Sequence, residues 1–355
     1  MVNDQPQLGL TPSRRSLMRF AALTGVAGVA VSAAGLVQPQ AHAADAKATV
    51  FGDTFPYPTV NGPSLALWGS SSIDGAYADQ GVPAGYNATV QARLTELLGA
   101  PVLDFGRGGD TSSIIISRRG VPDFRYRILF PNDRIPAEGS VQVGIPSDSK
   151  VEWGSSTLLP GYVGAVPGIL SAGEVAGTYV FTRVVPGEEI YAPHGTGANW
   201  LTSYQEMISR SSYHLIQVGR NNLGEPEKIQ AHTQLAFDLA PERTIVLGHF
   251  RARGDGRDST MSKQVEAYNQ WGASTYGAKF INPETYLREV TREEWLRYGA
   301  LNGSNVWSSD TDQKAYDEGK IPPSLYASDG FHLNGWGYIA LSHMIASKVK
   351  ELGWF

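Results

Sequence analysis

Cysteine is absent from all 355 residues, so disulfides and thiolate metal sites are excluded. Charge is sparse as well: Asp, Glu, Lys and Arg make up 18% of the chain, and the net charge is −5 without clustering. That balance argues against a nucleic-acid partner. Beyond the N-terminal region no apolar run is long enough to span a membrane, and there is no internal repeat or low-complexity tract. No Gly-Lys-Ser/Thr phosphate loop occurs, and Gly106-Arg107-Gly108-Gly109 lacks dinucleotide-binding spacing. No cluster of metal-ligating residues is evident either: Asp310 and Asp312 begin a calcium-loop pattern that Lys314 and Ala315 break. What is plentiful is glycine, at 40 residues, and aromatic side chains, at 10%. This texture suits an enzyme with many loops, and it suits a lectin as well.

The N-terminus reads as a leader. Ser13-Arg14-Arg15-Ser16-Leu17-Met18-Arg19 is a twin-arginine pattern, followed by an uncharged, Ala- and Gly-rich run from Phe20 to Val37. Ala41-His42-Ala43 supplies a small-x-small cleavage site, so residues 1–43 are expected to be removed after export by the twin-arginine machinery. A single anchor helix is the alternative, and the short, Gly-interrupted run disfavours it. Roughly 310 mature residues are ample for a core that needs no cross-links.

Next comes a short apolar run, Leu65-Ala66-Leu67, that stops at Trp68-Gly69-Ser70-Ser71-Ser72. A strand ending in Gly and hydroxyls suits a tight turn at a reacting group. Val90, Leu94, Leu97 and Leu98 share one helical face, Gly99 stops that helix, and Val102–Phe105 is the next strand. Strand, helix, strand implies parallel pairing. Between about Gly120 and Gly197 the pattern changes to period two, as in Ser140–Ile145 and Thr178–Val184. The α/β pattern resumes with strands at Tyr213–Val218, Thr244–Leu247 and Lys279–Ile281. Helices are expected near Ile229–Leu239, Met261–Tyr276 and Gly335–Leu352. The stretch Glu293–Pro323 carries no clear pattern. The expected organisation is an α/β domain over 44–119 and 198–355, interrupted by an all-β insert at 120–197.

The ends of these strands carry the chemistry, since open parallel sheets place their sites at the carboxyl ends of strands. Ser71 follows the first strand, and Asp329-Gly330-Phe331-His332 precedes the last helix. A Ser, a His and an Asp three residues before that His are the parts of a serine hydrolase: the His takes the hydroxyl proton and the Asp fixes its tautomer. No Gly-x-Ser-x-Gly elbow surrounds Ser71, because position 73 is Ile, which argues against the ordinary α/β-hydrolase fold. Two further blocks, Gly106-Arg107-Gly108-Gly109-Asp110-Thr111-Ser112 and Gly219-Arg220-Asn221-Asn222, complete a set of four. In order and position this set resembles the SGNH (GDSL-type) hydrolase family. The resemblance covers the α/β portion and not the insert. The sequence departs from the family at Ser70, where Asp is usual, and at Asn222, again usually Asp.

The resemblance implies a three-layer α/β/α, flavodoxin-like fold with a parallel sheet and the all-β insert added. It implies Ser71 as nucleophile, and an oxyanion hole from the Ser71 and Gly109 backbone N–H groups and the Asn221 side chain. It further implies a cofactor-free ester hydrolase acting on a small-molecule or polysaccharide ester, and an acetylated sugar suits an exported, aromatic-rich chain. Trp153, Tyr162 and Trp200 are the expected sugar-stacking rings. His214 and His343 read as structural, while His194 and His249 occupy loop or strand-end positions that could line a cleft. Two other functions fit the same residues. One is an acyltransferase using the same acyl-enzyme, and the other is a carbohydrate-binding protein with a vestigial hydrolase domain. Since the insert supplies none of the catalytic groups, it is expected to govern which ester is accepted.

Overall fold

The computed structural model describes residues 49–355, except 53, 153–156, 196–198, 254, 257, 290–291, 298–305 and 308. The leader, Trp153 and part of the unpatterned stretch therefore lie outside the described residues.

Five strands form one parallel sheet: β1 (Leu65–Gly69), β2 (Val102–Gly106), β10 (Tyr213–Ile216), β11 (Thr244–Leu247) and β12 (Phe280–Ile281). Their spatial order is β2-β1-β10-β11-β12, the flavodoxin-like order with a topological switch point beside the first strand. β1 is buried along its length because both faces are covered. Leu65 and Leu67 point to one apolar layer and Ala66 and Trp68 to the other. On the first side lie α1 (Val90–Leu98), α6 (Pro283–Glu289) and α9 (Gly335–Glu351); on the second lie α2 (Ser112–Arg118), α4 (Pro226–Asp238) and α5 (Thr260–Tyr276). The layers are thus α/β/α. Local signals set several boundaries. Thr89 caps α1 by accepting from Ala92 N–H, and Gly99 ends it in the left-handed region. Pro226, at the first position of α4, starts that helix three residues before the expected Ile229.

The remaining strands lie in the insert or at its return. β4 (Ser140–Val143), β5 (Leu158–Val163), β6 (Val166–Ala172), β7 (Tyr179–Arg183) and β9 (Leu201–Ser203) form an antiparallel sheet in the order β4-β7-β6-β5-β9. β3 (Arg134–Ile135) and β8 (Ile190–Tyr191) make a separate pair. The insert has its own core, centred on Phe130, Leu159, Leu170 and Phe181. Its sheet runs past residue 197, because β9 leads directly into α3 (Tyr204–Ser209) and back to β10. The central hairpin β5–β6 was not expected, since Pro160, Gly161, Pro167 and Gly168 interrupt it. Here Gly168 serves close approach: a methyl group at that position would meet the Phe181 ring at 2.1 Å.

Within the unpatterned stretch the structure shows α7 (Arg292–Arg297) and α8 (Asp310–Asp317). Asp312 is a structural tie, accepting from Ser324 N–H at 3.1 Å, Ser324 Oγ–H at 2.5 Å and Trp307 N–H at 3.1 Å. Among the described residues no helix is long and apolar enough to cross a membrane.

Candidate active site

The turn after β1 holds Ser71. Ile73 N–H and Asp74 N–H donate to Ser70 O, and Ala76 N–H donates to Ser71 O, so the chain coils as soon as it leaves the sheet. Gly106 at the end of β2 makes room for this coil, since a methyl group there would meet Asp74 N at 2.2 Å. Ser70 and Ser72 are fully buried, whereas Ser71 keeps 8% of its surface open. Of the three hydroxyls only Ser71 faces a base. Its Oγ–H donates to His332 Nε2 at 2.7 Å, and His332 Nδ1–H donates to Asp329 Oδ2 at 2.6 Å. The tautomer follows from the partners. A carboxylate only accepts, so the proton sits on Nδ1 and the Nε2 lone pair is left for the Ser71 hydroxyl.

Asp329 is held as firmly as it holds. Its Oδ1 accepts from Phe331 N–H at 2.9 Å and His332 N–H at 3.0 Å. Partial burial works to raise its pKa, but the backbone and ring hydrogen bonds from His332 and the Phe331 N–H outweigh it. The carboxyl stays below its usual range and is ionised. The loop itself is anchored from two directions. Gln80, downstream of Ser71, accepts from Ser328 N–H at 2.8 Å and donates to Ser328 Oγ at 3.1 Å. Arg220 lies buried between the rings of Phe250 and Phe331, 4.6 and 4.3 Å from their centroids, and donates to the carbonyls of both residues. The residue beside Asn221 therefore positions the His332 loop.

Gly109 and Asn221 stand in the loops next to Ser71. A methyl group on Gly108 would lie 3.9 Å from Ser71 Cβ, so this loop passes directly beside the hydroxyl. Gly109 adopts φ +83, a conformation that favours glycine, and nothing lies within 4 Å of the position its Cβ would take. Asn221 Nδ2 donates to Asp110 O at 2.9 Å, which ties the third block to the second. Among the described residues, the Ser71 and Gly109 N–H groups have no protein acceptor.

Asp110 and Arg118, which sequence reasoning passed over, hold this loop from below, and both are buried. Arg107 Nε donates to Asp110 Oδ1 at 2.8 Å, and Arg118 Nη2 pairs with Oδ2 at 2.8 Å. The Arg118 approach is off-axis, a charge contact rather than a directed hydrogen bond. Arg118 also donates to Phe105 O at 2.6 Å, Gln205 Oε1 at 3.1 Å and Gly69 O at 3.2 Å. One guanidinium thus joins the ends of β1 and β2 to the Gly109 loop. No sequence pattern distinguishes Arg118 from a solvated charge at a helix end.

Asn222 has a local reason to replace Asp. Its Oδ1 caps α2 by accepting from Ser112 N–H at 3.0 Å, while its Nδ2 donates to Ser112 Oγ at 3.1 Å and Glu225 Oε2 at 2.7 Å. A carboxylate there would meet Glu225 as a like charge. Ser112 Oγ also contacts Nδ1 of the buried His232 at 2.8 Å.

The aromatic expectations need correction. Tyr162 is only 4% exposed and packs edge-on against Phe51, because it belongs to the joint between the insert and α3. Trp200 is half-buried with Arg127 over its ring. The exposed ring at the site is Tyr77, 40% open and 5.3 Å from the His332 ring, at φ +65. Only its closeness to Ser71 in sequence hinted at it. Nor does His249 line a cleft. It is fully buried, with its Nε2 3.1 Å from Val218 O. His194 lies in the insert, with its Nε2 2.6 Å from Phe130 O. His214 is structural: its Nδ1 accepts from Trp68 Nε1–H at 3.1 Å.

No family model matches the chain, and no curated protein matches it. Among solved structures it is similar to a lipase/acylhydrolase from Enterococcus faecalis, at 11% identity over 82% of this chain and 96% of that one, TM-score 0.38. It is similar to a lipolytic protein of the G-D-S-L family from Veillonella parvula, at 11% identity over 82% and 97%, TM-score 0.37. It is also similar to a catalytic mutant of an acetylxylan esterase from Geobacillus stearothermophilus, at 12% identity over 84% and 98%, TM-score 0.39. The strand order and the three layers are those of a flavodoxin-like α/β/α fold.

Proposed function

We propose that this chain is a serine esterase that hydrolyses carboxylic esters through an acyl-enzyme on Ser71. The observation that supports this reading best is the unbroken line of contacts from Ser71 Oγ through His332 to the ionised Asp329. His332 Nε2 takes the Ser71 proton as Oγ attacks the ester carbonyl, and the imidazolium that forms is stabilised by Asp329. The carbonyl oxygen becomes an oxyanion, to which the Ser71 and Gly109 N–H groups and the Asn221 amide donate. Collapse expels the alcohol, which takes the proton back from His332. Water, deprotonated by His332, then attacks the acyl-Ser71 carbonyl, and as the bond to Oγ breaks Ser71 takes the proton back from His332 and the acid is released. No step needs a cofactor.

A ring-bearing alcohol, such as a sugar carrying an acetyl ester, is the substrate class we favour, because Tyr77 presents an open aromatic ring beside His332. Export in folded form by the twin-arginine route belongs to the same proposal and rests on Arg14-Arg15 and the Ala41-His42-Ala43 site. Turnover of 4-nitrophenyl and acetylated-sugar esters by the mature chain, lost in Ser71→Ala, is the expected result. Equal turnover by Ser71→Ala would refute the mechanism. Binding without turnover would favour the carbohydrate-binding alternative.

A further inference from the structure

Two residues of the insert grip the Gly109 loop on either side. Arg107, immediately before Gly108, donates from Nη1 to the carbonyl of Leu158 at the start of β5, at 3.0 Å. Thr111, two residues after Gly109, donates its hydroxyl to Glu152 Oε2 at 2.6 Å. Thr111 occupies the N-cap position of α2, yet its hydroxyl makes no cap to its own helix. Capping has passed to Asn222, which accepts from Ser112 N–H. The insert reaches the same turn a second time, as Glu152 N–H donates to Ser113 Oγ at 3.1 Å. On its other side Glu152 accepts from Lys228 Nζ of α4, which also reaches Glu225 at 3.2 Å, and Glu225 in turn accepts from Asn222. The loop of residues 107–113 is therefore closed into a ring of contacts with Glu152, Lys228, Glu225 and Asn222. Burial works to raise the Glu152 pKa, but Lys228 and Thr111 outweigh it, which keeps Glu152 an acceptor for Thr111.

We propose that Glu152 is a positioning residue for the oxyanion loop, so that the β-rich insert is part of the catalytic frame as well as a screen for substrates. This rests on the reading of Ser71 and Gly109 given above. Glu152 touches no reacting atom; it acts through Thr111 on the placement of the Gly109 N–H. An oxyanion donor matters mainly in the transition state, so displacement should appear in kcat and leave KM almost unmoved.

The test uses the mature chain with Thr111→Val, Glu152→Ala, the double variant and Glu152→Gln, assayed on 4-nitrophenyl acetate, an ester too small to need the insert for recognition. Thr111→Val and Glu152→Ala should each lower kcat about tenfold with KM changed less than twofold, since small misplacements near the chemistry carry costs of this order or more. The double variant should be little worse than either single, because both break one contact. Glu152→Gln, whose side-chain oxygen still accepts from Thr111, should recover most of the loss. Inactivation by a serine-directed phosphonate should slow in parallel in the folded variants, as judged by circular dichroism. Unchanged kcat on the acetate, multiplicative losses, or an effect confined to KM would overturn the proposal. Ser71→Ala serves as the control: if it turns over the ester, the site reading itself has failed, whatever the Glu152 variants do.

Discussion

Replacing Arg118 by Met should loosen the Gly109 loop and the sheet ends together. The Arg118–Asp110 contact is 2.8 Å long and both side chains are buried. At an effective dielectric of about 20, that separation corresponds to roughly 6 kcal/mol of attraction. Desolvating two ions costs several kcal/mol each, so the intact pair is close to neutral in net stability. Removing Arg118 alone takes away the attraction and leaves the carboxylate buried, for which about 3 to 5 kcal/mol is typical. Arg107 still donates to Oδ1 at 2.8 Å, which favours the lower end. Carbonyl oxygens of Gly69 and Phe105 lose a donor at the same time. A loss of about 3 kcal/mol lowers Tm by roughly 5 °C for a mature chain of about 310 residues. Urea unfolding followed by tryptophan fluorescence measures the change. Arg118→Lys should recover little, because one ammonium cannot reach the Phe105, Gly69 and Gln205 oxygens and the Asp110 carboxylate together as the guanidinium does. Adding Asp110→Asn should restore part of the loss, with a coupling of about 1.5 kcal/mol or more. A cost below about 1 kcal/mol, or strict additivity of the two substitutions, would refute this reasoning.

Asn221→Ala should lower kcat about a hundredfold with little change in KM, measured by steady-state kinetics; a change in KM alone would make Asn221 a binding residue. Tyr77→Gly suits the left-handed backbone and removes only the ring. It should raise KM about threefold to tenfold for glycosyl or aryl acetates and leave ethyl acetate unaffected. Acid should destabilise the fold through two buried imidazoles. Burial, with Arg220, holds His249 down at about 3, and burial, with Arg119 and Arg243, holds His214 well below 6.5. Below 6.5 the unfolded chain takes up protons that the native chain refuses. Each group thus contributes stability that is present above that pH and lost as pH falls, by up to about 1.4 kcal/mol per unit. His249→Gln should show a shallower fall in urea midpoint between pH 7 and 5; an unchanged slope would count against it.

The parts of this fold that sequence made legible are those where one local signal suffices. An unbroken apolar run gave β1, and the spacing of Val90, Leu94, Leu97 and Leu98 with Gly99 gave α1. The Ser71–His332–Asp329 set was legible because each residue stands in a recognisable block, though 261 positions separate Ser71 from His332. The β5–β6 hairpin was hidden because its glycines read as breaks, while their purpose, making room for Phe181 and Thr202, exists only in three dimensions. Arg118, Glu152 and Tyr77 were hidden for a related reason. An arginine at a helix end and a glutamate in a loop are by default solvated, and only the tertiary contacts make them parts of the site. Tyr162 erred in the opposite direction, since a tyrosine alternating in a strand shows no sign of which sheet face will be covered.

The central claim is that Ser71, and not Ser70 or Ser72, is the nucleophile. A fluorophosphonate reacted with the mature chain, followed by proteolysis and mass spectrometry of the peptide spanning Trp68 to Gly75, tests this most directly. The contacts predict one adduct, on Ser71, formed in step with loss of esterase activity and absent in Ser71→Ala and strongly slowed in His332→Ala. An adduct on Ser70 or Ser72, or full activity in a chain labelled at Ser71, would contradict it.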